Sequence, residues 1–156
     1  MWYNSFIPSS SFQADGLNVP AHIPTVNKEP LMRDQFQTAH APSPRGPYSQ
    51  AIITQGRQLW VSGQIPVDPQ TGQLVEGGFE AQAHQVFRNV KAVVENAGGS
   101  LASTIKAQVY LHDLRDRAAL NAIFAQYFPL PYPARTTIQS NLGEVLIEVD
   151  VVVALE

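Results

Sequence analysis

Residues 79–112, FEAQAHQVFRNVKAVVENAGGSLASTIKAQVYLH, change their apolar period half-way along, and that change decides the fold. Phe79, Ala83, Val86, Phe87, Val90, Val93, Val94 and Ala97 recur at steps of three and four, the period of one helix face, and Gly98-Gly99 stops the pattern. From Thr104 the step becomes two. Ile105, Ala107, Val109 and Leu111 share one face, and Lys106, Gln108, Tyr110 and His112 share the other, as strand side chains must. A helix that delivers the chain into a strand predicts an α/β layer.

Downstream, Asp116 is placed to cap a second helix that runs to about Phe128 and buries Leu120, Phe124 and Tyr127 or Phe128. Pro129, Pro131 and Pro133 end it. The stretch from Pro133 to Val153 then reads as a β-hairpin. Its first arm runs from Pro133 to Gln139, Ser140-Asn141-Leu142-Gly143 supplies turn chemistry, and its return arm spans Val145 to Ala154. Val145, Ile147, Val149, Val151 and Val153 fall on one face of the return arm; Leu146, Glu148, Asp150 and Val152 fall on the other. Two acids thus interrupt an apolar arm. Either that face is solvated, the ordinary state of an antiparallel strand, or Glu148 lines a cleft with Arg135.

Upstream, the loop from Ala41 to Gln50 is too rich in proline and glycine for a regular element. It leads into a strand, Gln50 to Thr54, then a turn at Gln55-Gly56, then the second arm of a hairpin, Arg57 to Ser62. Leu59 and Val61 face one way and Trp60 the other. Ser62-Gly63-Gln64-Ile65-Pro66 ends that strand at a glycine, where backbone N–H groups can approach a ligand. The order is ββαβαββ, with both helices on one face of a single mixed sheet. The other face carries Trp60, Tyr110, Leu146 and Val152 beside Gln108, His112, Glu148 and Asp150. It is too apolar for water and too polar for a dry core, which predicts a symmetric oligomer with clefts between chains.

The totals narrow the function. At 156 residues the chain suits one domain. A net charge of −3 with no basic cluster argues against nucleic acid and anionic membranes as partners. The absence of cysteine removes disulfides, thiolate catalysis and cysteine metal sites. His22, His40, His84 and His112 show no paired spacing, so no metal site is expected. Residues 1–38 form a proline- and serine-rich stretch expected to be a flexible extension, without the pattern of a signal or transit peptide, so cytoplasm is the default. Met32 is an alternative start.

Gly46-Pro47-Tyr48-Ser49-Gln50-Ala51, Ser62-Gly63-Gln64-Ile65-Pro66, the Asn121 helix, Pro133-Ala134-Arg135-Thr136-Thr137 and Ile147-Glu148-Val149 together resemble the RidA (YjgF) family of reactive-intermediate deaminases. The resemblance covers residues 39–156. It implies a chorismate-mutase-like α/β (α+β) domain, a homotrimer with active sites at subunit interfaces, and hydrolysis of 2-imino acids, formed from enamines such as 2-aminoacrylate, to 2-oxo acids and ammonia without a cofactor. It further implies that Arg135 clamps the substrate carboxylate through paired, charge-assisted hydrogen bonds. Glu148 would position water and shuttle protons, and Tyr48 would pack on the substrate. Gly63, Thr137 and Asn121 would complete the binding contacts. Thr137 stands where many members have cysteine or serine, and the links before Pro133 and between Thr137 and Glu148 look short for the family.

Two other classes compete. A chorismate mutase would need several cations converging on a dianion, and Arg135 alone is obvious. A non-catalytic ligand-binding or regulatory module of the same fold is the remaining alternative.

Overall fold

The steps of three and four from Phe79 form helix α1, Phe79–Asn96, in the computed structural model, which describes residues 33–155. It ends as the two glycines predict. Gly98 turns left-handed at φ 83°, its N–H donates to Glu95, and Gly99 donates to Val94. Those paired bonds satisfy the last carbonyls of the helix. Helix α2, Arg117–Tyr127, packs beside α1 and buries Leu120, Ile123 and Phe124. Asp116 stands at its N-cap position but makes no side-chain cap; Asp113 instead accepts from Arg115 at the start of the short 3-10 turn before α2. That carboxylate caps the 3-10 turn, and α2 itself begins without a side-chain cap.

The strands are β1, Arg33–Phe36; β2, Ala51–Thr54; β3, Gln58–Gln64; β4, Thr104–Leu111; β5, Ala134–Gln139; and β6, Ile147–Ala154. The last four form one mixed sheet in the order β3-β6-β4-β5, with both helices on one face. Ala107, Val109, Leu111, Ile147, Val149, Val151 and Val153 are buried under the helices, as their period of two predicts. Phe87, Phe124 and Phe128 lock the centre, with Phe124 and Phe128 stacked 4.2 Å apart and Phe87 edge-on to both.

Two pairings differ from the sequence reading. β5 and β6 are not a hairpin. β5 runs parallel to β4 and β6 runs antiparallel to it, so the two flank the same strand. The crossover from β4 through α2 sets β5 down beside β4, the usual outcome for a strand–helix–strand unit, and β6 takes the edge left over. The link between them passes over the end of β4: Ser140 donates to Leu111, and Leu146 accepts from His112. Leu146 consequently turns inward against the core rather than outward, its N–H held by buried Gln82 at 2.8 Å.

Nor do β2 and β3 form a hairpin. β2 pairs with β1 in a separate two-stranded ribbon, so the expected single sheet is two, and Arg33–Phe36 is a strand where a flexible arm was expected. A buried arginine explains it. The Arg33 guanidinium donates to the Thr104 and Pro131 carbonyls, while Ser49 bonds to Tyr132 and Pro133 at the entrance to β5. These bonds draw the ribbon toward β4 and β5 and away from β3. Residues 1–32 of the expected extension, Met32 among them, lie outside the described residues.

The sheet's uncovered face is mixed, as predicted. Trp60 is 74% exposed and Ile138 is also exposed. Beside them Lys106 donates to Thr136 (2.6 Å) and Gln108 to Asp150 (3.1 Å). Asp150, with Glu148 contributing less, raises the pKa of Tyr110.

Candidate active site

The six candidate residues fall into two groups. In the first, Arg135 and Thr137 project from β5 beside Ala107 and Val109, on the helix-facing side of the sheet. They meet Tyr48 from the proline-rich loop and Asn121 from α2 around a cavity of about 310 Å3, whose lining is completed by Arg45 and Arg117.

Arg135 is held on three sides. Its guanidinium carbon lies 4.8 Å from the centroid of Phe124 and 5.6 Å from that of Tyr48, and its Nη2 donates to Asn121 Oδ1 at 2.6 Å. Asn121, expected to meet substrate, therefore orients the arginine. The loop is fixed in turn: the Tyr48 hydroxyl accepts from the Arg45 N–H at 3.0 Å. Burial, and secondly the nearby Arg117 cation, push the Arg135 guanidinium down to about 10, with Tyr48 opposing. It is a cation at neutral pH, and an anion beside it would offset both penalties.

Two polar atoms in this group lack partners. Arg135 Nη1 and Thr137 Oγ1 are buried without a hydrogen bond to any of the described residues. Leaving such a donor unpaired costs about 1–3 kcal/mol, more for a charged group, so both are primed for an oxygen-rich ligand. Among the described residues the cavity lining contains three arginines and no carboxylate. That composition selects an anion.

Glu148 and Gly63 form the second group. Glu148 lies beside Tyr110, three residues and thus one face away from Ala107, so it points from the side of the sheet opposite Arg135. Within one chain Arg135 and Glu148 do not share a cleft. Gly63 sits in a bulge of β3 between the pairs Val61–Val151 and Gln64–Val149. A Cβ there would lie 1.9 Å from Glu148 Oε1, so only glycine leaves room for the carboxylate. The strand end beyond it is held by Asn89 of α1, which donates to the Ile65 and Val67 carbonyls.

Arg45, Arg117 and Asn89 were not singled out from the sequence. The usable signal was spacing: Arg117 lies one helical turn before Asn121 on the same face of α2, and Arg45 lies three residues before Tyr48 in the same loop.

The family model described as Endoribonuclease L-PSP matches residues 38–155. The chain belongs to this family, the RidA (YjgF) family. Among its relatives, a RutC family protein from Pyrococcus horikoshii is 46% identical over 123 residues, covering 78% of this chain and 97% of that one. Human 2-iminobutanoate/2-iminopropanoate deaminase is 40% identical over 109 residues, covering 70% of this chain and 79% of the human protein. RidA from an Antarctic Psychrobacter superposes with a TM-score of 0.61 at 42% identity, covering 78% of this chain and 99% of that one. A Rid-family protein of unknown function from Yersinia pestis reaches 0.70 at 30% identity, with 80% and 100% covered. The RidA family thus includes proteins named as imino-acid deaminases, and this chain shares the mixed α+β fold of its solved members. Among the described residues no helix is long and apolar enough to cross a membrane.

Proposed function

We propose that this RidA-family chain hydrolyses reactive 2-imino acids, such as 2-iminopropanoate and 2-iminobutanoate, to 2-oxo acids and ammonia, at sites shared between adjacent chains of a homotrimer. The observation that carries the reading is the pair of orphaned buried donors, Arg135 Nη1 and Thr137 Oγ1, in a cationic cavity without a carboxylate. A planar substrate carboxylate satisfies both, and the fork of a guanidinium matches its geometry where an ammonium would not. The deaminase relatives support the choice of substrate.

Hydrolysis also needs a group to handle protons, and Glu148 is the candidate. Its position supports a shared site. The Arg135 group sits on β5, one edge of the four-stranded sheet, and the Glu148 group sits near the other edge on the opposite face. Two unlike patches at opposite ends of one molecule meet when copies are arranged head to tail, and such contacts form a ring when a three-fold rotation relates the copies. In such a ring the β5 edge of one chain brings the clamped imine to Glu148 of the next. The exposed Trp60 and Ile138 supply apolar surface for that contact.

The chemistry then follows. Arg135 and Thr137 hold the carboxylate, and the Tyr48 ring covers the substrate. Glu148 takes a proton from water as its oxygen adds to the imine carbon and passes it to the imine nitrogen, which gives a carbinolamine. Glu148 then takes the hydroxyl proton and delivers it to the same nitrogen as the C=O forms and the C–N bond breaks, so ammonia leaves with the oxo acid and Glu148 is a carboxylate again. Water and side chains balance the reaction without a cofactor.

Gly63→Ala tests the carboxylate's placement. The clash falls on the flexible end of Glu148 rather than on backbone, so the variant should fold with a melting temperature within a few degrees of wild type. Displacing a catalytic group by about 1 Å costs on the order of 100-fold, and kcat should fall by that factor. An unchanged kcat would separate Gly63 from the reaction.

The direct test generates 2-aminoacrylate in situ with a serine or threonine dehydratase and follows ammonia or oxo-acid release. Acceleration by the chain supports the reading; none from a folded, oligomeric protein would favour a non-catalytic binding module instead. Because the cavity holds three arginines, where the sequence had made only one obvious, chorismate belongs in the same assay. Its conversion to prephenate would replace hydrolysis with mutase chemistry.

A further inference from the structure

Two of the three cavity arginines have no role in the reaction just described. The α-carboxylate of a 2-imino acid is met by Arg135 and Thr137, and their unpaired buried atoms account for a single carboxylate. Arg45 and Arg117 stand at the rim, both exposed, on the loop before Tyr48 and at the first residue of α2.

Arg117 is in a costly place. A cation in the first turn opposes the helix dipole, whose positive end it adjoins. It is close enough to Arg135 for the two cations to repel. Neither Arg45, Arg117 nor Arg135 joins an ion pair among the described residues; the two ion pairs found there are Lys91–Glu95 and Arg115–Asp113. A stability role would place these guanidiniums near acids. Within one chain they converge on a space lined by no acid among the described residues, and the anions that match them arrive with the ligand and with Glu148 of the neighbouring chain.

The balance of charge and space agrees. The α-carboxylate and the neighbouring chain's Glu148 offset two of the three cations, and a second substrate carboxylate offsets the third. The cavity's 310 Å3 is about ten water volumes at ~30 Å3 each, more than a three-carbon imino acid fills. The distal end of a longer substrate, with its carboxyl end at Arg135, would lie toward the rim.

We propose that the preferred substrates are 2-imino acids carrying a second carboxylate, the four- and five-carbon dicarboxylic imino acids, with Arg135 and Thr137 holding the α-carboxylate and Arg45 and Arg117 the distal one. This deepens the imine-hydrolase reading and rests on it. Arg45 and Arg117 are specificity determinants: they act on the choice of substrate and touch no reacting atom. The reaction is the same addition of water and loss of ammonia, and its product is a dicarboxylic 2-oxo acid.

The test compares kcat/KM for 2-iminoglutarate and 2-iminobutanoate, each generated in situ from its amino acid by a flavin oxidase. The diacid should be favoured by about tenfold or more, the discrimination expected of one added charge-assisted pair. In the Arg45→Gln/Arg117→Gln double variant the ratio of the two constants should fall by a similar factor. Calorimetry supplies a second readout without turnover. Wild type should bind 2-oxoglutarate more tightly than 2-oxobutanoate, and the double variant should lose the difference. Hydrolysis of the monocarboxylic imine with no diacid preference, or a ratio the double variant leaves unchanged, overturns this proposal and leaves the hydrolase reading standing. Acceleration of neither imine overturns both.

Discussion

Arg135→Ala should lower kcat/KM for 2-iminopropanoate by about a thousandfold, or ~4 kcal/mol, the cost of losing one partner of a buried charge pair. Most of the loss should appear in KM, because the clamp grips the carboxylate in ground state and transition state alike; a smaller part falls on kcat through lost orientation. The protein should stay folded. The substitution removes the contact with Phe124 and the bond to Asn121, but it also removes a partly buried cation whose Nη1 is unpaired and whose protonation burial disfavours. These opposing effects should leave stability within about 1 kcal/mol of wild type. Arg135→Lys keeps a charge but not the fork, and should recover little of the loss. Steady-state kinetics and a thermal melt check this together. Full activity in Arg135→Ala would remove the clamp from the account, and loss of the fold would make the arginine structural.

The second large effect should come from Glu148→Gln. The amide preserves the side chain's shape against Gly63 but cannot accept water's proton. Proton transfer by a positioned side chain contributes about 100- to 10,000-fold, so kcat should drop within that range while KM changes little. The contrast with Arg135→Ala, one variant failing mainly in KM and the other in kcat, separates clamp from proton shuttle. A Glu148→Gln variant with wild-type kcat would leave the acid on a merely solvated strand face.

Much of the fold was legible because faces follow from period. The helix from Phe79, the strand from Thr104 and the inward valines of β6 are all consequences of spacing. Which strand lies beside which is not in the period. Pro133–Gln139 and Val145–Ala154 look like hairpin arms, yet β4 separates them, because the crossover through α2 and the backbone bonds at Leu111 and His112 decide the neighbours. Arg33–Phe36 has no apolar pattern to announce a strand. Its anchor is a guanidinium bonded to carbonyls 71 and 98 residues away.

The site followed the same division. Arg135, Tyr48, Asn121 and Thr137 do gather around one cavity, and Gly63 does meet Glu148. That the two groups stand on opposite faces could be read only after the β4 register placed Arg135 beside Ala107 and Glu148 beside Tyr110. Arg45 and Arg117 were hidden for a related reason. Seventy-two positions apart in sequence, they meet only because the loop and the start of α2 converge on β5.

Mixing the two inactive variants tests the shared site most directly. Arg135→Ala and Glu148→Gln chains are unfolded together, refolded in equal amounts and assayed for imine hydrolysis. If each site takes Arg135 from one chain and Glu148 from its neighbour, about one quarter of the sites in a randomly assembled ring are intact, and activity should return to about that fraction of wild type. If both residues act from the same chain, every site carries one defect. Mixed oligomers as inactive as either parent would contradict the account.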